Sequence, residues 1–169
     1  MPTVGTLITY TTYGTWLRGD ARGWVEDGVI MPADAMLELA DASRLKHPVY
    51  LLKPDQLWNV GKRICQKLLE RINLRLLALT VETWHVHYVV PATTIALSDI
   101  VKQTKETVRF ILKPGQPMWT TDFDRRYCFS WEKLHQRVDY VERHNERHGW
   151  PSQPWPELLN WDDYIRTMV

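Results

Sequence analysis

A chain of 169 residues, 44% of them hydrophobic, is about one domain long and carries enough apolar side chains for a core. Its formal net charge of +1 supplies no global field for a polyanion. No stretch approaches the roughly 18 apolar residues of a membrane span, and the opening MPTVGTLITY lacks the layout of a secretory leader, so a cytoplasmic protein without membrane contact is expected.

The elements follow in chain order. The run Thr6 to Trp16, rich in β-branched and aromatic residues and closed by the turn-prone RGDARG, predicts a first strand. Residues 19–53 show no clean period and read as a long connection carrying a short helix near PADAMLELADA. From Pro54 onward Leu57, Val60, Ile64, Leu68 and Ile72 recur at helical spacing behind Asp55 as cap. LRLLALTVE and HVHYVVP are adjacent strands joined by a short reversal at Thr83 and Trp84. A second long helix spans about Ser98 to Lys113, with Lys102, Lys105, Arg109 and Lys113 forming a basic stripe. After the extended MWTTDFDRRYCF, Ser130 caps a third helix that runs to HGWP, and residues 151–169 form a proline- and tryptophan-rich extension to a main unit of residues 1–150. Strand, helix, strand, strand, helix, possible strand, helix suits an α+β, ferredoxin-like domain: an antiparallel sheet with helices on one face. Cys65 and Cys128 are far apart and outside any C-x-x-C spacing, which predicts buried free thiols.

Two histidines stand out inside the apolar run ETWHVHYVVP. On a strand, alternation puts His85 and His87 on one face and Trp84, Val86 and Tyr88 on the other. The histidine face is then an open or cleft-lining surface. Such a pair suits two ligands of one metal ion, and equally two histidines hydrogen-bonded to neighbours on a solvated face. A third group comes from RVDYVERHNERHG, where Tyr140, His144 and His148 lie at i, i+4 and i+8 in one column. A phenol, with an ordinary pKa near 10, attacks a phosphodiester when a cation stabilises the phosphate charge. Tyr140 beside His85, His87 and His144 has the makings of that chemistry, and a half-buried aromatic beside Leu134, Val138 and Val141 would look the same.

Three ordered segments resemble the single-tyrosine HUH transposases, and among them the REP-associated tyrosine transposases. WHVHYVV is similar to the histidine, hydrophobic, histidine strand motif; MWTTDFDRRYCFSWEKLHQRVDYV resembles the segment leading into the nucleophile helix; RHNERHGW resembles the stretch that closes it. The resemblance covers Thr6 to about Trp150 and places the HUH motif on a central strand. It implies a metal-dependent single-stranded DNA endonuclease and transposase that nicks and rejoins DNA beside hairpins through a 5′-phosphotyrosine link. Tyr140 would be the nucleophile, and His85, His87 and His144 the ligands of Mg²⁺ or Mn²⁺. The family usually has asparagine or glutamine where this chain has His144, and three imidazoles suit other transition metals better than Mg²⁺. Glu146 also stands where the family has proline. Arg125 and Arg126, just ahead of the tyrosine helix, and Lys102, Lys105 and Arg109 on the preceding one are the expected DNA contacts; the stripe on the preceding helix is also what a solvated helix face looks like. The partner expected is single-stranded DNA with hairpin structure, bound by a monomer or a homodimer. The alternative is a domesticated protein that binds hairpins without cleaving them. A two-histidine phosphoesterase would need H-x-[ST] motifs, which the chain lacks, and a closed structural zinc site is the last reading of the three histidines.

Overall fold

The computed structural model describes residues 1–168. Four antiparallel strands form the main sheet in the order β4-β5-β1-β6: β1 is Gly5–Thr11, β4 Ala78–Val81, β5 His85–Pro91 and β6 Asp124–Cys128. The two histidines thus sit on an interior strand. Register sets Thr9 opposite His87 and Thr11 opposite His85 on β1, and Thr80 opposite His87 on β4.

Alternation along these strands builds two cores. Ile8, Tyr10, Leu79, Val81, Val86, Tyr88 and Val90 point to one face, where they pack on α2 (Leu57–Ile72) and α3 (Leu97–Leu112). Leu7, Ala78, Val89 and Cys128 point to the other and pack on Leu134, Val138 and Val141 of α4 (Trp131–Arg147). The sheet is therefore covered on both faces, not on one as the element order suggested. The reason is that β1, β4 and β5 carry apolar residues at odd and even positions alike, so neither face can be left to water. The histidine face is a cleft under α4, with His85 only 4% exposed.

Ser130 caps α4 through its hydroxyl, which accepts from Lys133 N at 3.3 Å. Asp55 is not the cap of α2. A single 3-10 turn, Pro54–Gln56, precedes that helix, and Lys53 N donates to Gln56 Oε1 at 3.0 Å. The long connection holds a hairpin as well as α1 (Ala35–Ser43): β2 (Trp24–Glu26) and β3 (Val29–Met31) turn through Asp27 and Gly28, both at positive φ. The D-G dipeptide between Val25 and Val29 is the readable signal for that hairpin. Both cysteines are buried free thiols.

The tail locks the fold. Trp155 and Leu158 enter the α2/α3 core, and Tyr164 of α5 (Trp161–Met168) enters the core under α4. Gly61 exists so that the Trp155 ring can lie directly on α2, since a Cβ there would overlap the indole. Gly61→Ala is expected to destabilise the protein by about 1–3 kcal/mol, the usual cost of overpacking, despite alanine's better helix propensity. A denaturant melt of the two proteins reads this directly, and a stabilised variant would show that the indole is free to move. Asn145, fully buried, donates from Nδ2 to Leu79 O and to Ser152 O, both at 2.9 Å, so it ties α4 to β4 and to the tail. Asn145→Ala leaves both carbonyls unpaired and should cost about 1–3 kcal/mol in the same melt; a cost below about 0.5 kcal/mol would contradict that tie.

Candidate metal and nucleophile site

The α4 helix crosses the sheet so that its Tyr140 and His144, one turn apart, face the histidine pair. The ring nitrogens of His85, His87 and His144 that could ligate lie within 4.8 Å of one another, close enough to bind one metal ion. Ring centres are 4.3 Å apart for His85 and His87, 5.8 Å for His85 and His144, and 5.3 Å for His87 and His144. Tyr140 stands 5.6 Å from the His87 ring and 5.1 Å from that of His144, and it is 41% exposed. The nucleophile candidate therefore opens to solvent while the ligands are shielded.

Hydrogen bonding prepares two of the rings. His144 Nδ1 donates to Glu82 Oε1 at 3.1 Å, a carboxylate that can only accept when ionised, so His144 Nε2 is left with its lone pair and no partner. His87 Nδ1 is 2.7 Å from the Thr9 hydroxyl; with Nδ1 as donor, its Nε2 is likewise free. His85 has no partner on either nitrogen although it is buried. Buried polar atoms normally find partners, so three imidazoles turned towards one another with unpaired nitrogens are the arrangement a cation would complete. Burial pushes the His85 pKa down to about 4 and depresses His87 further, with the like charges of the other imidazoles adding to the effect. Both rings are neutral at pH 7, the state that ligates.

Glu82 carries a second histidine. Its Oε2 is 3.1 Å from His148 Nε2, an ion-pair distance off the hydrogen-bond direction. Burial alone would raise this carboxyl, but the bond from His144 and the neighbouring His148 hold it below its ordinary range. Sequence reasoning missed Glu82 and Thr9. Glu82 sits three residues before His85 in the stretch already singled out, and a carboxylate so placed at the start of a hairpin was the available signal.

The basic residues divide. Arg126 shares the histidine face of β6 with Asp124, to which it is bonded at 3.0 Å, and its charge bears on His87. Arg125 points to the opposite face, 5.0 Å from the centre of the Phe123 ring. Lys102, Lys105 and Arg109 lie on α3, on the far side of the sheet from the histidines. Lys105 is committed internally, donating to Thr120 O at 2.9 Å and Asp122 O at 2.8 Å.

The fold is that of a REP-associated tyrosine transposase. One solved structure to which the chain is similar is a REP-associated tyrosine transposase bound to a REP hairpin; the match covers 92% of this chain and 76% of that one, with a TM-score of 0.52 and 14% identity. No family model and no curated protein matches the sequence. Among the described residues, no helix is long and apolar enough to cross a membrane.

Proposed function

We propose that the protein is a metal-dependent, hairpin-associated single-stranded DNA nicking and joining enzyme, with Tyr140 as nucleophile. The observation that carries this reading is the convergence of Tyr140 with three imidazoles, each of which keeps at least one ring nitrogen without a protein hydrogen bond, on the sheet face under α4. The neighbour's hairpin ligand supports the choice of DNA substrate.

His85, His87 and His144 would hold a divalent cation, Mn²⁺ or Mg²⁺ or another transition metal. Bound there, it would act as Lewis acid on a non-bridging phosphate oxygen. Three protein ligands match the number found in catalytic sites rather than the four of closed structural zinc. The Tyr140 oxygen attacks the phosphorus, the bond to the 3′ oxygen breaks, and the phosphate is left on the tyrosine as a 5′-phosphotyrosine. The phenol proton leaves to solvent, to which Tyr140 is partly exposed, and the departing 3′ oxygen takes up a proton. Ester exchange conserves the phosphate bond, so the free 3′-hydroxyl of another strand can reverse the step without an energy source. Arg126, on the histidine face, would contact the phosphate backbone. Residues 1–150 would form the catalytic unit, and residues 151–169 a brace.

The test is a denaturing gel with labelled hairpin oligonucleotides from the gene's own surroundings, with and without Mn²⁺ or Mg²⁺. A covalent band that needs metal supports the enzyme; hairpin binding without a band in any metal supports the non-cleaving binder instead. His87→Ala should remove the band, because it deletes a central ligand.

A further inference from the structure

Beside the histidines lies a second cluster that the nicking chemistry does not use. The Arg22 guanidinium carbon is 4.4 Å from the centre of the Trp16 ring and 4.4 Å from that of Trp84, and the two rings are 5.6 Å apart. Trp84 packs on His85 at 4.0 Å between ring centres. An aromatic surface and a fixed positive charge therefore stand directly against a metal-ligand candidate.

The cluster is held from several directions. Asp20, its side chain only 7% exposed, accepts from Arg22 Nε at 2.8 Å and Nη2 at 2.6 Å, and Arg22 Nη2 donates as well to Thr15 O at 2.8 Å. Trp16 Nε1 donates to Gly23 O at 2.8 Å. The Trp84 carbonyl accepts from Thr12 N at 2.8 Å and from the Thr12 hydroxyl at 3.3 Å. Yet neither ring is buried, and the Arg22 side chain is 45% exposed, with its Nη1 making no hydrogen bond among the described residues. A cluster that only anchored the loop would gain most by burying its rings; this one leaves two indoles half-buried and a guanidinium partly exposed, in fixed positions.

We propose that Trp16, Arg22 and Trp84 form a subsite for an unpaired nucleobase of the strand whose phosphate lies at the histidines. The base stacks on indole, and Arg22 offers its free Nη1 donors and its charge. Stacking of this kind accepts any of the four bases, because each has a π-face, and the guanidinium adds cation–π and hydrogen-bond contributions. The inference rests on the DNA reading above and adds where the strand runs: over the turn between β4 and β5, at the Trp84 end of the sheet.

The experiment compares two probes of equal charge, a fluorescent twelve-nucleotide oligothymidine and an abasic strand of the same length, by anisotropy with the full chain. The wild-type protein should favour the strand with bases by about tenfold or more, the scale of one stacked base. Trp84→Ala and Arg22→Gln should each reduce that preference to about threefold or less while binding of the abasic strand changes little, and Trp84→Phe should keep it. Should Trp84→Ala fail to fold, Arg22→Gln, a change at a side chain 45% exposed, decides. Equal binding of both strands by the wild type, binding of neither, or a full preference retained in both variants would overturn the subsite. A base preference without any covalent hairpin band would instead sink the nicking reading and leave the subsite standing.

Discussion

Tyr140→Phe is expected to lower covalent adduct formation by at least about a thousandfold, to the floor of a denaturing gel, while hairpin and metal affinity stay within about twofold of wild type. The asymmetry follows from what the substitution removes. The ring that packs 5.6 Å from His87 and 5.1 Å from His144 remains, and the ring is 41% exposed, so little stability or shape is lost. Only the attacking oxygen goes. Covalent catalysis by one oxygen has no partial substitute, which is why loss of a nucleophile is among the largest single effects on an enzyme. Three measurements on the same protein check it: the gel, anisotropy with a labelled hairpin, and a thermal melt. A band that persists in Tyr140→Phe would place the nucleophile elsewhere. Loss of hairpin binding together with the band would mean that the hydroxyl holds the DNA rather than performing the attack.

The second large effect concerns Glu82. Glu82→Gln is expected to weaken metal affinity about 10- to 100-fold, the usual consequence of losing an outer carboxylate that orients a ligating histidine. The carboxylate fixes His144 with its proton on Nδ1 and its lone pair on Nε2, and it makes that nitrogen a stronger donor. Glutamine keeps the size and can still accept one bond, so the fold should survive. What is lost is the negative charge shared by His144 and His148. The readout is direct titration with Co²⁺ followed by its visible absorption, and with Zn²⁺, Mn²⁺ and Mg²⁺ by calorimetry. Three imidazoles favour Zn²⁺ and Co²⁺ over Mn²⁺ and place Mg²⁺ last, since nitrogen donors suit the later transition metals and Mg²⁺ prefers oxygen. Burial keeps His85 neutral down to about pH 4, so its proton does not compete with metal at neutral pH. Unchanged affinity in Glu82→Gln would mean that Glu82 serves only to stabilise the end of α4, and Mg²⁺ binding more tightly than Zn²⁺ would rule out ligation by all three rings.

Much of this protein could be read along the chain because the relevant physics is local. Strand alternation alone places His85 and His87 on one face, and the helical repeat alone places Tyr140 and His144 in one column. Ser130 as cap, the apolar column of α2, and the isolated cysteines are likewise properties of short windows. The order of these elements identified an antiparallel α+β sheet, and resemblance in three ordered segments placed the histidines on an interior strand and pointed to the fold that a solved structure shares.

Tertiary structure decided what depends on residues distant in sequence. That α4 covers the histidine face, making it the cleft rather than the open surface of the two that strand alternation allowed, follows from Leu7, Val89 and Leu134 sharing a core, a contact no periodicity encodes. Glu82 meets His144 across 62 positions and Thr9 meets His87 across 78, so the groups that set the imidazole protons are invisible to spacing. The basic residues show the same limit. Arg125 and Arg126 are neighbours in sequence and opposites in space, because a strand sends adjacent side chains to opposite faces, and Lys105 spends its charge on two carbonyls of the loop before β6. Sequence determined which side chains could do chemistry; packing of the sheet between two helical layers determined which of them meet, since only burial against a partner layer fixes where each face lies.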